Sequence, residues 1–365
     1  MVGGDGELAT TYAHCINVND PPLAMTFNVV NRSSGKQFQV EQNETVLQAA
    51  LRHGRVFPYS CRDGACGSCK ADLIQGRVDY GQVQAQVLTD EEKADGKVLL
   101  CQARPLEDLI IAVGEIAAAQ NIEIKMMPCR VASMENLAHD VMALQLQLPQ
   151  QQRLQFLAGQ YIDILLRDGR RRSFSLANAP FQDNTLEIHI RLVPDGRFTN
   201  HVFSAMKERD ILRLQGPLGT FFLREESQQP ILMMAGGTGI APVKSILEDA
   251  FVKGIKRPIH LFWGVRAKRD LYLDTMIDGW CARHPGLSYT PVLSEPQPDD
   301  WWSGAVGWVH QALIDAYPCL DEYEVYASGP PPMIEAGKSA FASHGLRADR
   351  LFYDSFEFSS DAQPR

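Results

Sequence analysis

The chain has little that would tie it to a membrane, a nucleic acid or an exported setting. In its 365 residues no uninterrupted apolar run approaches the ~18 residues of a bilayer span, so no membrane insertion is expected. Basic residues are the minority, 35 Lys and Arg against 44 Asp and Glu. The resulting formal charge of −9 argues against nucleic-acid binding. The first 24 residues contain no Lys or Arg and so lack the charged opening of a secretory signal. Eight cysteines without such a signal point to a reducing, cytoplasmic location. The nine histidines are scattered, with no H-E-x-x-H or other metal spacing. No Ser-His-Asp order stands out, and no internal repeat is present.

What is present divides into blocks, as the length leads one to expect. Residues 1–24 hold Gly3, Gly4, Gly6 and Asp20-Pro21-Pro22 without a periodic apolar face, which predicts a disordered extension and a structural start at Met25. Over 25–116, strands around Phe27–Val30 and Phe38–Val40 precede a helix from about Glu44 to His53, with Asn43 as its cap and Gly54 as its stop. Over 123–226, Leu144, Leu146 and Leu148 alternate with glutamines, and Leu186, Ile188 and Ile190 alternate with Glu187, His189 and Arg191. This period of two predicts half-buried antiparallel strands in a barrel or sandwich. Over 227–358, apolar runs at Ile231–Ala235, Ile259–Val265, Tyr289–Leu293 and Glu324–Ala327 alternate with helical stretches, the pattern of a parallel α/β sheet.

Four cysteines carry the sharpest signal. Cys61, Cys66 and Cys69 follow C-x4-C-x2-C, with Cys101 well downstream, the spacing of a plant-type [2Fe–2S] site. Zinc sites favour short C-x2-C knuckles, and disulfide frameworks belong to small secreted domains. Gly64, Ala65 and Gly67 are small enough for the loop to wrap a cluster and aim backbone N–H groups at its sulfides. This segment resembles the plant-type ferredoxin family over 25–116, and the resemblance implies a β-grasp fold. Cys15, Cys129, Cys281 and Cys319 read as ordinary thiols.

In Arg170-Arg171-Arg172-Ser173-Phe174-Ser175, an aromatic ring is bracketed by a cation and a hydroxyl between two strand candidates. Downstream, Gly196-Arg197-Phe198-Thr199-Asn200 precedes a helix expected over His201–Met206, and a helix N-terminus holds phosphate well. Together these resemble the R-x-[YF]-S flavin signature of the ferredoxin–NADP⁺ reductase superfamily. The resemblance implies FAD, with Arg172 on its phosphates, Phe174 stacked on the ring, Ser175 at the ring's polar edge, and Gly196 and Thr199 on the pyrophosphate. Phe174 stands where Tyr is common, so one hydroxyl hydrogen bond is absent.

A glycine-rich turn, Gly236-Gly237-Thr238-Gly239-Ile240-Ala241-Pro242, joins a strand to a helix, and Ala327-Ser328-Gly329-Pro330 makes a second such turn. Backbone amides at such turns approach phosphate closely, and Pro242 suits a first helical turn. The pair resembles the nicotinamide-dinucleotide domain of the same superfamily, with Ser328 replacing the Cys found in many members near the nicotinamide. Arg266, Lys268 and Arg269 fall where an adenosine ribose would lie; NADH is expected, with NADPH possible. The aromatic tail Leu351–Phe358 reads as an edge strand, and the resemblance places Phe356, or else Phe358, over the flavin face.

Taken together, the chain is similar to class IB iron–sulfur flavoprotein reductases, including the reductase components of phenol hydroxylases and other oxygenases and the CDP-6-deoxy-Δ3,4-glucoseen reductases. The resemblance implies electron flow from NAD(P)H through FAD to the cluster, since a flavin can accept a hydride and release single electrons. It also implies a protein acceptor, an oxygenase component or a nucleotide-sugar dehydratase-type enzyme, docking near the ferredoxin domain. With 10 basic against 12 acidic residues, segment 25–116 has no strong field to identify that partner. The alternatives are an autonomous reductase of free flavins or quinones and a metal-binding scaffold without redox function.

Overall fold

The computed structural model describes residues 25–357. The extension expected over residues 1–24 and the alternative shielding residue Phe358 lie outside them. In the first unit, β1 (Thr26–Asn31) and β2 (Lys36–Glu41) form an antiparallel hairpin with Phe27 opposite Val40 and Val29 opposite Phe38. Helix α1 (Val46–Arg52) buries Val46, Leu47, Ala49 and Ala50. It starts two residues later than expected and is capped by Thr45 rather than Asn43. The Thr45 hydroxyl accepts from Gln48 N while the Gln48 amide oxygen accepts from Thr45 N, a reciprocal box that outcompetes a lone Asn. Gly54 ends the helix at φ +67°. Then follow β3 (Lys70–Gln75), β4 (Val78–Asp79), α2 (Asp90–Ala94), β5 (Lys97–Leu99), β6 (Arg104–Pro105) and β7 (Leu109–Ala112). The main sheet runs β2-β1-β7-β3-β5, with β1 and β7 parallel, a β-grasp arrangement.

The second unit is an antiparallel sheet of β8 (Lys125–Ala138), β9 (Val141–Gln147), β10 (Tyr161–Leu165), β11 (Arg171–Ser175), β12 (Thr185–Arg191) and β13 (Ile211–Leu218), with α3 (Arg197–Ser204). Its order is β11-β10-β13-β8-β9-β12. A bridge between Leu176 and Ile188 joins the two edges and closes the barrel. Leu144, Leu146, Leu186, Ile188 and Ile190 are fully buried, as their alternation predicts. His189, on the other face, is buried as well, because the third unit covers it through Tyr272. The basic run Arg171–Ser175 is itself a strand rather than a connection between strands, and α3 begins at Arg197, earlier than expected.

The third unit is a parallel sheet: β14 (Ile231–Gly236), α4 (Ile240–Lys253), β15 (Ile259–Val265), α5 (Asp274–Arg283), β16 (Leu287–Leu293), β17 (Ala305–Val306), α6 (Val309–Ala316), β18 (Glu324–Gly329), α7 (Pro331–Ser343) and β19 (Leu351–Ser355). The order β17-β16-β15-β14-β18-β19 reverses direction between β14 and β18. Such a switch point opens a crevice at the strand ends, where ligands of open α/β sheets bind. Both glycine-bearing turns emerge there. Every residue of β14 and β18 is buried, with separate apolar cores on the two faces of the sheet.

Candidate functional site

The loop holding Cys61, Cys66 and Cys69 passes three times through left-handed backbone, at Arg62 (φ +63°), Gly64 (φ +76°) and Gly67 (φ +79°). A Cβ on Gly64 would stand 2.4 Å from the Gln82 carbonyl oxygen, so that turn admits no side chain. Cys66, Cys69 and Cys101 are buried, Cys61 is partly exposed, and all four are free thiols. They associate as two pairs. Hydrogen bonding from Cys61 pulls the Cys66 thiol below its ordinary value, and Cys69 lowers Cys101 in the same way. In each pair the partner thiol is raised because the two share a proton. The Asp63 N–H points at Cys61 Sγ, 3.4 Å away. Two thiol pairs on an N–H-lined loop, one member of each readily ionised, suit a two-iron cluster.

The cysteine loop is bolted to the antiparallel barrel of the second unit. Arg62, itself at φ +63°, inserts its guanidinium against the fully buried Asp163 of β10. Asp163 also accepts from the Ser173 hydroxyl at 2.7 Å. Arg171 reaches back to Asp63 at 2.6 Å, and the Tyr161 hydroxyl donates to Ser60 O at 2.6 Å. Tyr59 and Thr220 make three further bonds, Tyr59 N to Thr220 Oγ1 at 3.0 Å, Thr220 N to Tyr59 O at 3.1 Å and Thr220 Oγ1 to Tyr59 O at 3.0 Å. These partners were missed in the sequence. The available signal was an acid in the otherwise apolar strand Tyr161-Ile162-Asp163-Ile164-Leu165.

Along the barrel, Phe174 is half-buried with its ring 5.6 Å from that of Phe198. Arg172 lies two residues before it, donating to Arg171 O at 2.7 Å. Ser175 is buried and donates to Asp354 at 3.0 Å. Gly196 is the N-cap of α3. The Thr199 hydroxyl donates to Gly196 O and Val193 O and accepts from Val193 N, so its side chain is occupied in shaping the turn.

At the switch point the two glycine-bearing turns pack against each other. A Cβ on Gly239 would fall 2.1 Å from Ser328 O, and one on Gly236 would fall 2.4 Å from Met333 Sδ. Two glycines therefore serve close loop packing, a reason different from the phosphate approach read in the sequence. Gly237 is left-handed at φ +53°, with Thr238 beside it and Pro242 in the first turn of α4. Ser328 Oγ is fully buried without a hydrogen-bond partner; a polar atom left in this state fits a crevice built to receive a polar ligand. Gly329 and Pro330 continue into α7. Phe356 is partly buried and its N–H donates to Gly329 O at 2.9 Å, which sets it beside the Ser328 turn. Arg266 is exposed just past the end of β15.

Three family models match in series: a 2Fe-2S iron-sulfur cluster binding domain over 29–106, an oxidoreductase FAD-binding domain over 128–223 and an oxidoreductase NAD-binding domain over 233–339. The CDP-6-deoxy-L-threo-D-glycero-4-hexulose-3-dehydrase reductase of Yersinia pestis is 41% identical, covering 91% of this chain and 99% of that one. The chain belongs to the three-domain iron–sulfur flavoprotein reductases. The reductase is also 34% identical to DmpP, the reductase component of phenol 2-monooxygenase from a Pseudomonas species, covering 92% of this chain and 96% of that one. Its fold matches the crystal structure of the Amycolatopsis cytochrome P450 reductase GcoB with TM-score 0.76 and 33% identity, over 91% of this chain and 99% of that one. The reductase is an oxidoreductase that passes electrons from NAD(P)H through FAD to a [2Fe–2S] cluster. Among the described residues no helix is long and apolar enough to cross a membrane.

Proposed function

We propose that Cys61, Cys66, Cys69 and Cys101 hold the cluster. Arg172, Phe174, Ser175, Gly196 and Thr199 hold FAD. Gly236, Gly237, Thr238, Gly239, Pro242, Ser328, Gly329 and Pro330 receive NADH, with Arg266 at the ribose. The domains run 25–116, 123–226 and 227–358. When bound, the flavin converts a two-electron hydride into single electrons. The protein's part is positioning: Ser328 and Ser175 present hydroxyls to the reacting rings, Phe356 covers the flavin face, and Arg62 with Asp163 holds the metal loop on the barrel. That last contact carries the reading, because it leaves the cluster beside the flavin strand without a domain movement. The acceptor is a protein of the nucleotide-sugar dehydratase or oxygenase type, docking on the ferredoxin unit in the cytoplasm; the dehydrase-reductase relative favours the former.

The substitution Cys66→Ser tests the route, since it exchanges a thiolate ligand for a poorer hydroxyl donor. Reduction of ferricyanide by NADH should persist near the wild-type rate, whereas cytochrome c reduction should fall roughly tenfold or more. Retention of both activities would support the second reading, a reductase of free flavins or quinones whose flavin delivers electrons directly.

A further inference from the structure

One carboxyl group joins the cluster loop to the flavin strand. Asp354 of β19 is 5% exposed. Its Oδ1 accepts from Ser60 Oγ at 2.7 Å and its Oδ2 from Ser175 Oγ at 3.0 Å. Ser60 immediately precedes Cys61, and both serines are buried. One residue earlier on the same strand, the Tyr353 hydroxyl donates to Cys66 O at 3.1 Å. On its other side β19 pairs with β18, placing Asp354 opposite Ser328 and Ser355 opposite Gly329. A single short strand thus touches the metal loop, the flavin strand and the nicotinamide turn.

We propose that the Ser60–Asp354–Ser175 bridge, with Tyr353, is a positioning device that fixes the cluster loop against the flavin edge and so sets the rate of flavin-to-cluster electron transfer. The inference rests on the electron route proposed above. A carboxylate suits the task because its two oxygens each accept from a different hydroxyl, holding two serines from different domains at a fixed separation. Burial keeps water from replacing either bond, and it raises the pKa of the Asp354 carboxyl. The step at issue moves one electron from the reduced flavin to the oxidised cluster, turning two ferric ions into one ferric and one ferrous. NADH supplies two electrons and one proton on becoming NAD⁺. Each hydride therefore serves two such transfers, with one acceptor reduced each time and the proton released to solvent.

The test uses the full-length holoprotein with Ser60→Ala, which removes one hydroxyl and touches no proposed ligand or flavin contact. Flavin content, the EPR signal of the reduced cluster and ferricyanide reduction by NADH should be unchanged. Amide hydrogen exchange over 61–69 should become about 3- to 10-fold faster, the effect of one lost hydrogen bond on local opening. Flavin-to-cluster transfer followed by stopped-flow absorbance should slow about tenfold or more. Tyr353→Phe, lacking the hydroxyl on the Cys66 carbonyl, should reproduce both effects. Unchanged exchange in both variants would overturn the bridge. Faster exchange with an unaltered electron step would overturn its positioning role. If the wild type itself shows no flavin-to-cluster transfer, the route fails and this inference with it.

Discussion

Replacing Asp163 with Ala should release the metal loop from the flavin barrel. Asp163 is fully buried and faces Arg62, whose side chain is only 14% exposed and lies over the Tyr161 ring at 6.0 Å. Burial opposes the charge on Arg62, but Tyr161 and Asp163 outweigh it and raise its pKa. Without the acid, a desolvated guanidinium is left with an aromatic ring and no counter-charge. Removing one partner of a buried pair costs about 3–5 kcal/mol. Arg62 has a route to solvent once its loop lifts, which places the cost near the lower end. Arg171, which also lies 3.9 Å from Asp163 while pairing with Asp63, adds a second cation beside Arg62 rather than a replacement acid. About 3 kcal/mol corresponds to roughly 100-fold in the loop-opening equilibrium. The assay is loss of cluster absorbance under excess iron chelator, because chelation reports the open population when reclosing is fast. Iron loss should accelerate between about 10- and 100-fold. The double variant Arg62→Met/Asp163→Leu should recover most of that, since it leaves no unpaired buried charge. Iron loss from Asp163→Ala at the wild-type rate would refute the reasoning, as would a double variant no better than the single one.

Further outcomes follow from the other two units. Arg172→Ala should weaken flavin retention by about 1.5–3 kcal/mol, the value of a charge-assisted hydrogen bond, seen as a lower flavin-to-iron ratio after gel filtration. Gly239→Ala forces a methyl group to 2.1 Å from the Ser328 carbonyl; it should lower the melting temperature and weaken NAD⁺ binding by titration, with the cluster spectrum intact. Phe356→Ala should strengthen the charge-transfer absorbance seen with NAD⁺, and a change confined to thermal stability would make Phe356 only a packing residue.

How far the sequence reaches depends on the range of the interaction. The C-x4-C-x2-C loop, the period-two strands and the alternating strand–helix rhythm are local properties, set by hydrogen-bonding geometry over a few residues. The sequence therefore determined three folds, their order and their cofactor classes. Even locally, reciprocal chemistry decided details: Thr45 with Gln48 displaced Asn43 as the cap, and Arg171–Ser175 proved to be a strand because its partner β10 lies only a few residues earlier. What lies between units was hidden. Neither Ser60 nor Asp354 belongs to a motif, and they are 294 positions apart. Asp163 looks like an ordinary acid until Arg62 arrives from a loop 101 residues earlier. The glycines at 236 and 239 announced a turn, but their need for empty Cβ positions comes from Met333 and Ser328 on a separate strand–helix turn. Such pairings depend on how the docked units exclude water. A buried carboxylate takes its meaning from whatever charge or hydroxyl is buried with it, and only tertiary structure decides that.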